Sequence, residues 1–528
     1  MIDGAMQPFA LTLDKFLEHA AKWRPTSEVV TAREDGTIDR IGYAGLMARS
    51  RRISAVLADM GVKVGAKVAT LAWNSQAHVE AWYAIMGMGA VCHTLNLRQT
   101  ANDLARMVER SGAKILIAGA DQLPLARQIA ERVPQDLTLL VIDGPADGDA
   151  TNLETLIADA PDGFQWGGFD ETAPCGLCFT SGTTGAPKGV TYTHRASFLH
   201  TMRALQVDTM ALSGADAVLA VVPMFHANAW GLPFACPAVG AKLVLPGRNA
   251  DGASLARLIR AEEVTVAVGV PTVWLGLLEH LEAQGDGVDA YVPSLERIIV
   301  GGAPMPPALM ARLEARLGVI VQTSWGMTEL SPSGTVMAAG DTVRPAAFSG
   351  RPAVGVDLMV ADAEGRPLPE QRDTEGHLHV RGAAVVERYF GETAKATDDD
   401  GWFATGDLAK IDTAGNLSIT GRAKDLIKSG GEWINPAEIE SVVGALPEVS
   451  LAAVIGRSDP KWGERPILLV ELREPEASDA RLLEPLKGKV ANWWIPDAVV
   501  RLASMPLAPT GKIDKLRLRA EYGAGPAT

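Results

Sequence analysis

The stretch Leu177-Cys178-Phe179-Thr180-Ser181-Gly182-Thr183-Thr184-Gly185-Ala186-Pro187-Lys188-Gly189-Val190 runs an apolar segment straight into a loop dense in hydroxyls and glycines, and Lys188 follows. Glycines let backbone N–H groups approach oxyanions. The hydroxyls of Thr180, Ser181, Thr183 and Thr184 donate hydrogen bonds or ligate Mg²⁺, and a lysine neutralises phosphate. The loop is built for a polyphosphate at the end of a buried strand, where ligands of α/β proteins sit. It is not a Walker A loop. Counted from Gly182, the position that needs Gly holds Pro187, and Lys188 is followed by Gly189 rather than Ser or Thr.

On either side of this stretch the chain alternates. Helix-like segments at residues 46–60 and 102–111 are followed by short β-branched runs at 67–72 and 114–118, and further apolar runs at 217–222, 242–245, 264–268 and 297–300 read as buried strands. The alternation predicts α/β layers with mainly parallel strands. From about residue 350 the texture changes to short strands with turn residues, at 355–362, 375–381 and 415–420, which reads as a β-rich subdomain. A mixed segment of roughly 100 residues follows Arg422, a normal size for a domain. The expected organisation is a large N-terminal domain over residues 1–422 and a small, mobile α+β C-terminal domain over 423–528.

Composition narrows the function classes. The 528 residues carry 49 Lys plus Arg against 63 Asp plus Glu, a net charge of −14, which repels nucleic-acid backbones while leaving room for a local basic pocket. Cys92, Cys175, Cys178 and Cys236 are too few and too scattered for a disulfide framework, so a reducing, cytoplasmic compartment is expected. Cys175 and Cys178 have metal-ligand spacing but no matching second pair, and they read as small buried thiols. No secretory signal is visible, and no apolar run reaches the length of about 18 residues that a membrane span needs.

Residues 180–189 resemble the phosphate loop of the adenylate-forming superfamily, which includes acyl-CoA synthetases, peptide-synthetase adenylation domains and beetle luciferases. Five further motifs stand in order: Gly301-Gly302-Ala303-Pro304, Ser324-Trp325-Gly326-Met327-Thr328-Glu329, Thr405-Gly406-Asp407, Gly421-Arg422-Ala423-Lys424-Asp425 and Pro509-Thr510-Gly511-Lys512. The resemblance implies a two-step reaction with ATP and CoA as co-substrates and Mg²⁺ as the metal. A carboxylate attacks ATP to give acyl-AMP and pyrophosphate, then the CoA thiol displaces AMP. It places Thr180, Ser181, Gly182, Thr183, Thr184, Lys188, Gly302, Ala303, Trp325, Gly326, Met327, Thr328, Glu329, Asp407, Arg422 and Lys512 around the nucleotide.

Among these, Trp325 is implied to face adenine, although a lone Trp in a chain with 12 of them reads as core. Thr328 is implied on the α-phosphate, with Glu329 and Thr184 on Mg²⁺. Asp407 offers two acceptor oxygens to the ribose hydroxyls, and Arg422 meets ribose or phosphate with its donor fork. Lys512, delivered from the C-terminal domain, is the expected catalytic lysine of adenylation; Thr184, Glu329 and His226 complete the catalytic set. Lys424 stands where relatives have a hinge. Lys428, Gly430, Gly431 and Trp433 resemble the strand that lines the pantetheine tunnel of CoA, and Trp462 is a candidate contact for the CoA nucleotide.

The segment Pro223-Met224-Phe225-His226-Ala227-Asn228-Ala229-Trp230-Gly231-Leu232-Pro233 narrows the substrate. Amino-acid-activating domains put an aspartate after the aromatic to hold the ammonium; here the neighbour is His226, and a buried ammonium without a carboxylate is costly. The arrangement resembles fatty-acyl-CoA synthetases and methylmercaptopropionate-CoA ligases, in which this tryptophan gates the acyl channel and which are often homodimers. His226, Trp230, Val270, Trp274, Ala303 and Pro332 are expected to line an apolar acyl pocket. The expected acid is aliphatic, short-to-medium or longer in chain, or a thioether acid. The alternatives are an aryl- or hydroxycinnamoyl-CoA ligase and an acyl-AMP ligase that loads a carrier protein; the absence of a carrier domain after Lys512 points to free CoA.

Overall fold

The computed structural model describes residues 4–180, 187–285, 287, 290–473, 476–508 and 512–524. Among them the chain forms a large N-terminal domain of stacked layers and a smaller C-terminal domain. The central strands of the first sheet lie in the order Ser333–Val336, Ile320–Gly326, Arg297–Val300, Val266–Gly269, Ala217–Ala220, Lys242–Leu245, Glu28–Ala32. The five strands from Ile320–Gly326 to Lys242–Leu245 are parallel. The second sheet runs Thr138–Ile142, Ile115–Gly119, Lys67–Leu71, Val91–Thr94, Pro174–Thr180, Lys188–Thr193, also parallel except for the last pair.

Both faces of these strands are buried, which is why they read as continuous apolar runs. Val218 and Ala220 point into a core shared by the two sheets, while Leu219 between them joins a separate core on the outer face. The shared core also holds Leu17, Leu46, Trp82 and Phe234, so the helices Asp14–Trp23, Tyr43–Asp59, Gln76–Gly87 and Leu232–Val239 fill the space between the sheets. Outer helices cover the far sides: Gly252–Glu262, Pro271–Ala283 and Pro307–Leu317 on the first sheet, Ala101–Ser111 and Leu123–Ala130 on the second.

The four-stranded antiparallel sheet of Val356–Ala361, Glu375–Gly382, Phe403–Ile411 and Leu417–Arg422 sends Val360, Leu378, Val380 and Leu417 into the shared core, so it is a subdomain of the larger unit. The C-terminal sheet, built on the long hairpin Val449–Asp459 and Gly463–Leu472, has cores of its own on its two faces. Cys92, Cys175, Cys178 and Cys236 are all free and buried. Among the described residues no helix is long and apolar enough to cross a membrane.

Candidate functional site

The parallel strands of the first sheet end side by side, and the segments that follow them carry the expected motifs. Pro223 to His226 follow Ala217–Ala220, Val270 follows Val266–Gly269, Gly301 follows Arg297–Val300, and Trp325 closes Ile320–Gly326. Pro332 turns the chain back: its carbonyl accepts from Met327 N–H at 3.0 Å, and Ser333–Val336 returns antiparallel. This turn holds Met327, Thr328 and Glu329 at the strand end. In the second sheet Thr180 and Lys188 are register partners across an antiparallel pair. This pair flanks the phosphate motif, whose residues Ser181 to Ala186 lie outside the described ones. Arg110 pins its base by donating to the Pro187 carbonyl at 2.7 Å, and Phe390 N–H bonds the Gly189 carbonyl at 2.8 Å.

Asp407 is 1% exposed. Trp325 Nε1 donates to its Oδ2 at 2.9 Å, and Arg422 Nε, on the neighbouring strand directly opposite, meets its Oδ1 at 2.6 Å. Burial pushes the Asp407 carboxyl up, while Arg422, the Trp325 bond, Lys512 and Lys424 pull it back. Lys512 thus lies within electrostatic reach of Asp407. The Lys512 carbonyl accepts from Ala508 N–H at 2.7 Å. Although solvent reaches part of the residue, desolvation in the interdomain cleft, then the charges of Arg422 and Lys424, push the ammonium down to about 8, with Asp407 pulling the other way. His226 faces the same cleft: desolvation, with Lys512 and Arg98 beside it, holds the imidazole down at about 4 and hence neutral at pH 7.

Glu329, 9% exposed, accepts a hydrogen bond from Tyr389 OH at 3.0 Å, and Lys188 Nζ stands over the Tyr389 ring, 4.7 Å from its centroid. The buried Tyr192 OH donates to the Thr328 carbonyl at 3.0 Å. Tyr389 was not legible in the sequence. It carries no motif, and only the fold sets it between a lysine 201 positions before it and a glutamate 60 before it.

The segment expected to line the acyl chain is built differently. Ala227, Asn228, Ala229 and Trp230 have φ of 44°, 55°, 46° and 53°, a left-handed turn made without glycine and followed by Gly231 at 80°. Left-handed backbone costs a non-glycine residue about 1–2 kcal/mol, and surrounding packing has to impose it. Here the whole turn is buried. It lays the Trp230 ring on Gly301, where a Cβ would come within 2.9 Å of the indole, with Val270 close by against Gly302. Trp274 is the exception among the expected lining residues. It is fully buried in the outer core under Gly269, since a helix starting at Pro271 turns it away from the strand ends.

The hairpin of Ile427–Ser429 and Glu432–Ile434 turns through Gly430 and Gly431 at φ 61° and 95°, and Trp462 packs on Gly430. Lys428 Nζ lies over the Trp433 ring at 5.4 Å. Trp433 lines a cleft of ≈ 350 Å³ with Leu408, Glu375, His377 and Trp494. Leu408 follows Asp407 in its strand, and successive side chains leave opposite faces. In this domain orientation Lys512 stands near Asp407, while the hairpin expected to face CoA stands on the other side of the strand. Lys424 lies in the short 3₁₀ turn Ala423–Asp425 that links the two.

The paired Thr180 and Lys188, the buried Asp407 carboxylate and Lys512 beside it stand where the motifs of an adenylating enzyme are expected. The chain belongs to the AMP-binding enzyme family, which it matches over residues 17–390, with the AMP-binding enzyme C-terminal domain over 438–512. It is 39% identical to the 3-methylmercaptopropionyl-CoA ligase of Ruegeria lacuscaerulensis over 98% of both chains, and 40% identical to the long-chain-fatty-acid–CoA ligase of Thermus thermophilus over 98% of this chain and 97% of that one. Among solved structures, the anthranilate CoA ligase AuaEII in complex with anthranoyl-AMP superposes with a TM-score of 0.88 at 25% identity, covering 98% of each chain. The expectation of an α/β, AMP-forming acyl-CoA ligase using ATP, CoA and a small carboxylic acid is borne out.

Proposed function

We propose that the acid activated by this ligase is aliphatic, of short-to-medium or longer chain, with thioether acids included. The observation that carries this reading is the acyl wall: the Trp230 ring over Gly301, Val270 beside it, and a neutral His226, with no carboxylate among these residues to hold a substrate ammonium. The relatives that act on methylmercaptopropionate and long-chain fatty acids support it at 39–40% identity, against 25% for the anthranilate enzyme. One buried methylene changes binding by about 0.8 kcal/mol, so the depth set by Trp230 grades chain length.

In the adenylation step an oxygen of the substrate carboxylate attacks the α-phosphorus and the bond to pyrophosphate breaks. Lys512, charged below about pH 8, stabilises the charge that develops there. Asp407 holds the ribose, while Arg422 and Lys188 meet the phosphates. Glu329 fits Mg²⁺: it is a hard oxygen donor with one oxygen bonded to Tyr389 and the other without a hydrogen bond from the described residues, and Mg²⁺ bound with phosphates uses one or two carboxylates. Bound there with Thr184, the ion would supply charge neutralisation to the triphosphate. In the second step the CoA sulfur attacks the acyl carbon and AMP leaves. Residues 423–528 swing about Lys424 between the steps, replacing Lys512 with the hairpin of Lys428, Gly430, Gly431 and Trp433. A cytoplasmic location accords with four buried free thiols; assembly as a homodimer rests on the resemblance alone, and light scattering checks it.

The test is AMP and acyl-CoA formation across a panel of straight-chain, thioether and hydroxycinnamic acids. The expected result is turnover of aliphatic and thioether acids ahead of every hydroxycinnamate. Preference for a hydroxycinnamate would overturn the substrate reading, and pyrophosphate release with no thioester on adding CoA would point instead to a carrier-protein acceptor.

A further inference from the structure

Trp325 lies at the end of Ile320–Gly326, 8% exposed, with its ring over Gly334, where a Cβ would come within 2.5 Å of the indole. That packing fixes the ring, and its Nε1–H reaches Asp407 Oδ2 at 2.9 Å across 82 residues of sequence. Arg422 Nε meets the other oxygen at 2.6 Å, and the Asp407 N–H is bonded to Thr405 Oγ1 at 3.1 Å. A carboxylate has about four lone-pair sites. The two donors take one on each oxygen and leave one on each, the number that two vicinal hydroxyls need. The terminal torsion of an aspartate is otherwise broad, so Arg422 alone, which is two-fifths exposed, leaves the plane of the group less defined. Phenylalanine or tyrosine would offer adenine a flat face too, but neither has an N–H at this place.

We infer that Trp325 is a positioning residue for nucleotide specificity: its indole N–H holds the Asp407 carboxylate in the orientation that accepts both ribose hydroxyls. The inference rests on the reading of Asp407 as the ribose acceptor, and it separates two properties of one side chain. Its face belongs to packing and adenine; its N–H acts at a distance through Asp407.

The experiment compares ATP with 2′,3′-dideoxy-ATP in acid-dependent pyrophosphate exchange for the parent, Trp325→Phe and Asp407→Ala. The parent is expected to prefer ATP. Trp325→Phe is expected to lower kcat/KM for ATP roughly tenfold, as loss of a hydrogen bond to a charged group would, while leaving the dideoxy nucleotide nearly unchanged, so that the ratio collapses. Equal losses on both nucleotides would overturn the inference and leave Trp325 a packing residue. A ratio unaffected by Asp407→Ala would overturn the ribose reading and the inference with it; a ratio abolished by Asp407→Ala but kept by Trp325→Phe overturns the inference alone. Trp325→Tyr, which keeps a flat face and also lacks the N–H, carries the same expectation if the Phe variant does not fold.

Discussion

The proposed nucleotide side and the proposed acyl side of the cleft are built on opposite plans. Around the proposed nucleotide site Trp325, Asp407 and Arg422 stand on strands and Glu329 on the short turn that ends one, each fixed by partners from elsewhere in the chain: Asp407 between Trp325 and Arg422, Glu329 on Tyr389. On the acyl side Trp230 is held by a left-handed turn of four non-glycine residues, a conformation that only packing sustains. The contrast follows from the tasks. ATP presents the same donors and acceptors on every turnover, which rigid polar groups match once and for all. An aliphatic tail offers only length and shape, which are graded by where one large ring is placed.

The largest effect expected is on Lys512. Lys512→Ala should lower acid-dependent pyrophosphate exchange by roughly 10²–10³-fold, the scale of losing one preorganised donor at developing charge. Thioester formation from supplied acyl-AMP should survive. Equal slowing of both half-reactions would break the view that this residue serves one domain orientation. The same lysine sets a pH limb: with the ammonium held near 8, adenylation should fall as pH rises through that value, and Lys512→Arg, whose guanidinium stays charged, should abolish the limb.

A smaller effect is expected at Tyr389. Tyr389→Phe removes the donor on Glu329 but keeps the ring under Lys188, so Mg²⁺-dependent binding of ATP, followed by calorimetry, should weaken roughly tenfold. Binding measured with chelator should be unchanged. A variant indistinguishable from the parent at every Mg²⁺ concentration would show that the bond does not order the carboxylate.

The smallest effect sharpens the other half. Gly231 ends the left-handed turn at φ 80°, and a Cβ there would lie 3.0 Å from the His200 ring. Gly231→Ala should therefore destabilise the protein by about 1 kcal/mol, read as a lower urea midpoint with little change in nucleotide affinity. An unchanged midpoint would mean that the turn is held less tightly than its burial implies.

Much of this plan is legible in the amino-acid order. Parallel strands buried on both faces leave plain apolar runs, so residues 242–245 and 297–300 coincide with the strands observed. Lys188, Glu329, Asp407 and Arg422 sit in motifs dense enough to stand out. Tyr389 does not, because its partners come from two distant strand ends. Nor does the left-handed turn: Ala227-Asn228-Ala229 holds no glycine to announce positive φ. Trp274 stands close to Val270 along the chain, which points it to the pocket, but helical geometry carries it into the core.

The division of labour is tested most directly by one variant measured on both substrates. For Trp230→Ala, kcat/KM is taken across straight-chain acids of increasing length at saturating ATP, and for ATP at a saturating acid. The account predicts a preference moved toward longer or bulkier acids with the ATP value close to that of the parent. An acid profile unchanged in shape, or a loss on ATP as large as that on the acids, would contradict it.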